Sequence, residues 1–275
     1  MKALQERPVI VLGPSGMLGQ MVTDYFTRLA CEVIPIHHRF EPETRQDFVR
    51  EITRHQDAVV INCIGRIKQK TSATGDLVWA NAVLPLELAN RMSASQTLVQ
   101  PSTDCVFSGG KGEPYALEDI PDAEDDYGWS KRLGEVALVH RKNTLIPRVS
   151  IIGPDANIQP KGLLGWFLNQ PNGAELKGFS NHLWNGITTL EWCRLIEREL
   201  SDPELATRSK LFQAGTKEHH TKLDMLHLFQ NVFGTTYTIV PFETDEPVDR
   251  RLHPNVFCKS LREQMEDLKK VEKFA

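Results

Sequence analysis

Long apolar runs, clustered cysteines and a large excess of either charge are all missing from this 275-residue chain, and each absence narrows its chemistry. No stretch approaches the roughly 20 apolar residues of a membrane-spanning helix. The first apolar run, Val9–Leu12, is too short for the core of a secretory signal. Cys31, Cys63, Cys105, Cys193 and Cys258 contain no C-x-x-C pair. Such a set argues against a disulfide framework and structural zinc, and for a reducing compartment; the cytoplasm is the expected location. Neither His37 nor His38 has metal-ligand spacing with another histidine or a cysteine, and no metal is expected. Lys plus Arg total 32 against 36 Asp plus Glu, a formal charge of -4. That balance supplies no electrostatic reason for a nucleic-acid or membrane partner, and any phosphate must be held by a local site. Internal repeats and low-complexity segments are absent as well.

What is present is alternation. Residues 9–12, 33–36, 58–61, 97–99, 144–152 and 211–214 read as short buried strands. Between them lie helix-period segments, such as the stripe of Leu18, Met21, Val22, Tyr25, Phe26 and Leu29, a helix over about 76–92 interrupted by Pro85, and a helix over about 188–200. Buried strands alternating with amphipathic helices predict an α/β fold, a doubly wound parallel sheet of the Rossmann kind. The span 37–58 is too short for a full strand–helix–strand passage, so the usual third strand is expected to be vestigial. Two stretches break the alternation, 154–186 and 216 to the C-terminus. The expected organisation is a dinucleotide-binding domain of residues 1–153 plus about 187–215. A smaller α+β substrate lobe would comprise about 154–186 plus 216–275, with a ligand cleft between the two.

Gly13-Pro14-Ser15-Gly16-Met17-Leu18-Gly19 joins the first strand to the first helix. Glycines there permit a tight turn and let the backbone approach a pyrophosphate at a helix N-terminus. Gly13, Ser15, Gly16, Met17, Leu18 and Gly19 are therefore cofactor candidates; a turn that simply needs glycine is the competing reading. The second strand ends at His37-His38-Arg39, with no acid between Val33 and Phe40. An NAD site usually places Asp or Glu there. Arg39 could pair with a 2′-phosphate instead, so NADP(H) is favoured, NAD(H) remains open, and a solvated Arg39 is the alternative. His37 could stack near the adenine. Cys63, Ile64 and Gly65, in the turn after the third strand, would lie over the dinucleotide, with Cys63 a small packing residue.

Tyr127 and Lys131 stand four residues apart, on one face of a helix. A phenol with a reference pKa of about 10 is a poor acid at neutral pH. A nearby ammonium is expected to lower that value. Thr103, at the end of its strand, can donate a hydrogen bond to the same carbonyl oxygen, so two donors would meet an oxygen about to become an alkoxide.

These strings, with Asn62 to Gly65 and Lys68, Asn81-Ala82-Val83-Leu84-Pro85, Ser102 to Gly109, Asp122 to Lys131, Trp184 to Thr189 and Asp249 to Leu252, span nearly the whole chain. Together they resemble the extended short-chain dehydrogenase/reductases, in the dTDP-4-dehydrorhamnose reductase-like, sugar-nucleotide-binding branch. The resemblance implies Thr103, Tyr127 and Lys131 as catalytic triad, with Tyr127 the proton donor and Lys131 also on the nicotinamide ribose. Asp104 would shape the substrate pocket. It implies an NADP(H)-dependent reductase of a nucleotide-diphosphate keto-sugar, 4-keto, in deoxysugar or surface polysaccharide biosynthesis, with a homodimer as one expected assembly. A pyrophosphate needs cations, for which Arg250 and Arg251 are the first candidates and Lys68 and Lys161 the next. Phe179 and Trp184 are stacking candidates, core packing being equally open. The acidic stretch 118–126 reads as a solvated loop. Two departures stand out. Cys105 replaces the tyrosine typical of the rhamnose-pathway reductases, and Pro101 precedes Ser102. Related dehydratases carry Asp-Glu after the threonine; Asp104-Cys105 lacks the second carboxylate, which favours reduction over water elimination. A sugar-nucleotide epimerase and a non-catalytic NADP-binding regulatory subunit, of the methionine adenosyltransferase beta type, are the alternatives.

Overall fold

The computed structural model describes residues 4–68, 73–155 and 162–271. Its strands, in chain order, are β1 (Val9–Leu12), β2 (Val33–Ile36), β3 (Val59–Asn62), β4 (Thr97–Val99), β5 (Thr144–Arg148), β6 (Ile151–Ile152) and β7 (Glu175–Phe179). They continue with β8 (His182–Trp184), β9 (Ile187–Thr188), β10 (Ser209–Gly215), β11 (His220–Thr221), β12 (Thr238–Phe242), β13 (Val248–Asp249) and β14 (Val256–Phe257). The helices are α1 (Met17–Arg28), α2 (Arg45–Thr53), α3 (Thr74–Val78), α4 (Leu84–Arg91), α5 (Asp126–Leu138), α6 (Leu163–Leu168), α7 (Thr189–Leu200), α8 (Lys222–Phe233) and α9 (Leu261–Val271).

Seven strands form one sheet in the order β14-β10-β5-β4-β3-β1-β2, every neighbouring pair parallel. β1 and β3 are buried at every position, because helices cover both faces and no side of the strand meets water. The two-residue alternation then sorts their side chains. Val9, Val11, Val59 and Ile61 join the core that includes Val22 and Phe26 of α1. Ile10, Leu12 and Val60 join the opposite core, with Phe48 of α2 and Leu88 of α4. From β1 the chain runs first to β2 on one side and then to β3 on the other. The carboxyl ends of β1 and β3 therefore flank a crevice, the usual ligand position in open α/β sheets. β2 is the edge strand, and among the described residues no strand lies beyond it, as the short 37–58 span leads one to expect.

Three features differ from the strand-and-helix pattern read above. The run 144–152 splits: after Arg148 the chain leaves the large sheet, and β6 pairs with β9. The helix over 76–92 is continuous but contains a π turn, Trp79–Val83, between α3 and α4. Pro85 has no N–H to offer the Asn81 carbonyl one turn back. Gly134 of α5 approaches that same carbonyl so closely that a Cβ there would lie 2.3 Å from it. Third, the C-terminal stretch divides. β7 with β12, and β11-β8-β13, form two small sheets beside α8, whereas β14 extends the large sheet beyond β10. Leu261, Met265 and Leu268 of α9 share a core with Val9 and Val11, so the C-terminal helix packs with the large sheet.

Candidate active site

The turn after β1 is built by glycine. Gly13 has φ +70, in the left-handed region that a side chain disfavours. A Cβ on Gly19 would lie 2.1 Å from the Gly13 carbonyl, so only glycine lets α1 start this close to the strand. Gly16 caps α1, and Gly16, Met17 and Leu18 face a cleft of about 530 Å³. Cys63 and Gly65, after β3, line the same cleft. Asn81, inside the π turn, pins this second loop: its Oδ1 accepts from the Arg66 N–H at 3.0 Å and its Nδ2 donates to the Arg66 carbonyl at 2.9 Å.

Thr103 and Asp104, after β4, and Tyr127 and Lys131, on the first two turns of α5, complete the wall. Asp125 caps α5 by accepting from the Gly128 N–H at 2.8 Å. A Cβ on Gly128 would meet the Cys105 carbonyl at 2.1 Å; its absence lets the helix start press against the loop after β4. That contact sets Tyr127 in the same cleft wall as Thr103, close enough for Thr103 to act on the phenol's pKa. Thr103 also donates to Asp104 Oδ1 at 3.0 Å and accepts from the Cys105 N–H at 3.1 Å.

The electrostatics correct one expectation. Burial is the largest influence on Tyr127 and raises its pKa above that of a free phenol; Cys105 and Asp104 push the same way, against Thr103. Burial also lowers Lys131 to about 8, and its ammonium donates to the Pro101 carbonyl at 2.5 Å. The lysine is thus engaged by the strand end, and the phenol is held as an acid rather than shifted toward phenolate. The Cys105 thiol is likewise pushed up to about 12, mainly by burial, so it is neutral near pH 7.

The remaining candidates separate. Lys68 lines the cleft in an ion pair with Asp125 at 3.0 Å, so one member of the acidic 118–126 stretch belongs to the site rather than to a solvated loop. Arg250 lines the cleft too, its Nε donating to the carbonyls of Phe107 and Ser108 at 3.1 and 3.3 Å. Arg251 is held by both oxygens of Asp249 at 2.8 and 2.6 Å and does not line the cleft. Gly13, Gly19 and Ile64 shape the turn behind the wall, and the Ser15 carbonyl accepts from Gln20. His37 and Arg39 are exposed at the end of β2. Trp184 is buried in the core, and Phe179 lines a neighbouring cavity. Lys161 lies outside the described residues.

Two elements escaped the sequence reading. One is Asn81, quoted there only as part of a string. The other is a buried ion pair behind the wall, in which Arg148 Nε and Nη2 donate to Glu135 at 2.8 and 2.9 Å. Ser102 Oγ donates to Glu135 Oε1 at 2.6 Å. Nothing in a helix-period stripe marks Glu135 as buried except its position one turn beyond Lys131. Among the described residues no cluster of three or more His, Cys, Asp or Glu could hold a metal, and no helix is long and apolar enough to cross a membrane.

Comparison with known proteins accords with this geometry. The profile of the RmlD substrate binding domain matches residues 7–164, more than half of the chain. A dTDP-4-dehydrorhamnose reductase of Streptomyces griseus is 32% identical over 134 residues, covering 47% of this chain and 44% of that protein. The alignment thus spans about half the length of such curated reductases. A methionine adenosyltransferase 2 subunit beta of Danio rerio is 26% identical over 263 residues, 88% of this chain and 78% of that protein. Among solved structures, the dTDP-4-dehydrorhamnose reductase of Bacillus anthracis in complex with NADP superimposes with a TM-score of 0.83 at 16% identity, covering 97% of this chain and 99% of that one. At that identity the likeness concerns the fold, which is the extended short-chain dehydrogenase/reductase architecture. Its glycine turn, its Thr103–Tyr127–Lys131 wall and the match over residues 7–164 place the chain in the RmlD substrate binding domain family.

Proposed function

We propose that the protein is an NADP(H)-dependent reductase of a nucleotide-linked keto-sugar, the ketone at C4, with Tyr127 as proton donor. The observation that carries this reading is that Thr103, Tyr127 and Lys131 line the same cleft as the Gly16–Leu18 turn. The residues present fit a dinucleotide. A Cβ on Gly16 would meet nothing nearer than the Gly13 carbonyl at 3.6 Å, and one on Gly65 nothing nearer than Asn81 at 3.5 Å. Both loops therefore leave a cradle for a pyrophosphate at the start of α1. Bound there, the nicotinamide would supply hydride. Exposed Arg39, at the end of β2 where an acid is absent, suits a 2′-phosphate. The Bacillus anthracis relative is described with NADP, and a dTDP-glucose 4,6-dehydratase neighbour with NAD.

The protein's own groups do the rest. The Tyr127 hydroxyl, and the Thr103 hydroxyl once it turns from Asp104, direct hydrogen bonds at the substrate carbonyl oxygen. As that oxygen gains negative charge, Tyr127 gives up its proton, and the Lys131 ammonium offsets the phenolate left behind. The raised phenol pKa keeps Tyr127 protonated before the reaction. Neutral Cys105 offers no general base for elimination, which favours reduction.

NADPH oxidation against a panel of nucleotide-linked 4-keto sugars tests the reading. Tyr127→Phe should cost roughly 100-fold or more in turnover while leaving NADPH affinity nearly intact. A second reading, a regulatory subunit, is favoured by coverage: the methionine adenosyltransferase beta subunits align over 88% and 93% of this chain. A protein that binds NADPH, oxidises it with no keto-sugar and co-purifies with a partner enzyme would support that second reading instead.

A further inference from the structure

Arg66 is a cation without a counter-charge. It follows Gly65 in the turn after β3, and its part-buried side chain lines the catalytic cleft. The other charged groups of that cleft are taken. Lys68 pairs with Asp125 at 3.0 Å, Lys131 donates to the Pro101 carbonyl, and Arg250 donates to the carbonyls of Phe107 and Ser108. Asp104 accepts from Thr103, and Asp155 is engaged as well. Among the described residues, no oxygen accepts a hydrogen bond from the Arg66 guanidinium. Arginine is the side chain best shaped to take a carboxylate, through two parallel N–H···O bonds.

A guanidinium on a loose loop would carry little meaning, but this one is anchored. The Arg66 N–H and C=O both bond the Asn81 side chain, at 3.0 and 2.9 Å. Asn81 is 2% exposed, and its Nδ2 donates to Ser130 Oγ at 3.0 Å. Ser130 Oγ in turn donates to the Tyr127 carbonyl at 2.8 Å. This chain of hydrogen bonds ties the Arg66 backbone to the turn of α5 that carries the phenol. The side chain is thereby held in register with the reacting end of the cleft rather than with the Gly16–Leu18 turn. Anchoring of this kind lowers the entropy spent when a ligand is bound.

We infer that Arg66 receives a carboxylate borne by the sugar itself, so that the substrate class is a nucleotide-linked keto-sugar acid. The inference rests on the nucleotide-sugar reading of the cleft. It makes Arg66 a specificity-determining residue and leaves hydride and proton transfer to the groups already described.

The test is calorimetric titration of the NADPH-saturated protein with glucuronic acid and glucose, each linked to UDP and to dTDP. The two sugars differ by a carboxylate in place of a hydroxymethyl group, and with the reduced cofactor bound neither alcohol can be oxidised. The acid should bind about 10- to 150-fold more tightly than the neutral sugar on at least one nucleotide, the span of a charge-assisted hydrogen bond. Arg66→Gln should erase that preference without weakening the neutral sugar. Arg66→Lys, which keeps the charge but loses the fork, should retain part of it. NADPH affinity and melting temperature should be unchanged in Arg66→Gln, because the side chain has no partner in the protein to lose. Equal affinities for acid and neutral sugar in the parent protein would overturn the proposal, as would a preference that survives Arg66→Gln. A fall in NADPH affinity in Arg66→Gln would overturn it too, by giving the guanidinium to a cofactor phosphate. If none of the four ligands binds, the nucleotide-sugar reading fails and this inference with it. If the acid is preferred through Arg66 yet no keto-sugar is reduced, the acid site stands and the reductase reading fails.

Discussion

Replacing Arg148 with methionine should destabilise the protein by about 3 kcal/mol and loosen the catalytic wall with it. The side chains of Arg148 and Glu135 are each 2% exposed, and two of the carboxylate's hydrogen bonds come from Arg148. Breaking a buried pair by removing one partner typically costs about 3–5 kcal/mol. Ser102 and the partly exposed Arg132 still donate to Glu135 at 2.6 and 2.9 Å, which places the loss near the lower bound. For 275 residues, an unfolding entropy of about 2.1 cal/mol/K per residue converts that loss into roughly 5 °C of melting temperature. The pH dependence gives the sign. Burial pushes the Glu135 carboxyl up, but bonds from Arg148, Ser102 and Arg132 bring it below the ordinary carboxylate value of 4.5. A depressed carboxylate stabilises the fold above its unfolded pKa, and that stability is lost as pH falls through the folded value. Without Arg148 the carboxyl pKa rises, the folded state takes up a proton, and the difference from the parent protein should shrink toward pH 5. Glu135→Gln with Arg148→Met together should cost less than the sum of the two changes. Because Ser102 precedes Thr103 and Glu135 lies one turn beyond Lys131, kcat should fall more than KM rises. Thermal melts at pH 7 and pH 5 measure this. A loss under about 1 kcal/mol, or one that does not depend on pH, would refute the reasoning.

Lys131 titrates near 8 rather than 10.5, so kcat/KM should decline as pH rises through about 8, when the ammonium is lost from the free enzyme. Lys131→Arg should move that limb upward; a profile flat to pH 10 in the parent protein would count against the role given to the ammonium. The same shift predicts the opposite slope for stability. The unfolded chain holds the Lys131 proton between about 8 and 10.5 while the folded state releases it, so this group's contribution to stability rises with pH across that window. Arg39→Ala should erase most of a preference for NADPH over NADH; equal dissociation constants in the unmodified protein would remove Arg39 from the cofactor site.

The sequence by itself determined the features set by local rules. Buried apolar runs such as Val9–Leu12 and Thr97–Val99 marked strands because a sheet covered on both faces leaves no polar alternation. The glycines at 13, 16 and 19 marked the turn because backbone conformation and close approach are local demands, and Tyr127 and Lys131 marked one helix face because the helical period is fixed. Only the tertiary structure decided what depends on residues far apart in the chain. The π turn at Trp79–Val83 answers to Gly134 on another helix as well as to Pro85. β14 joins the large sheet although the stretch of sequence around it breaks the strand–helix alternation. Arg250 reaches the cleft while Arg251, its neighbour, is taken by Asp249. Burial, which raises the Tyr127 pKa where spacing alone predicted a fall, is the sum of everything packed around the phenol, and no window of sequence contains that sum.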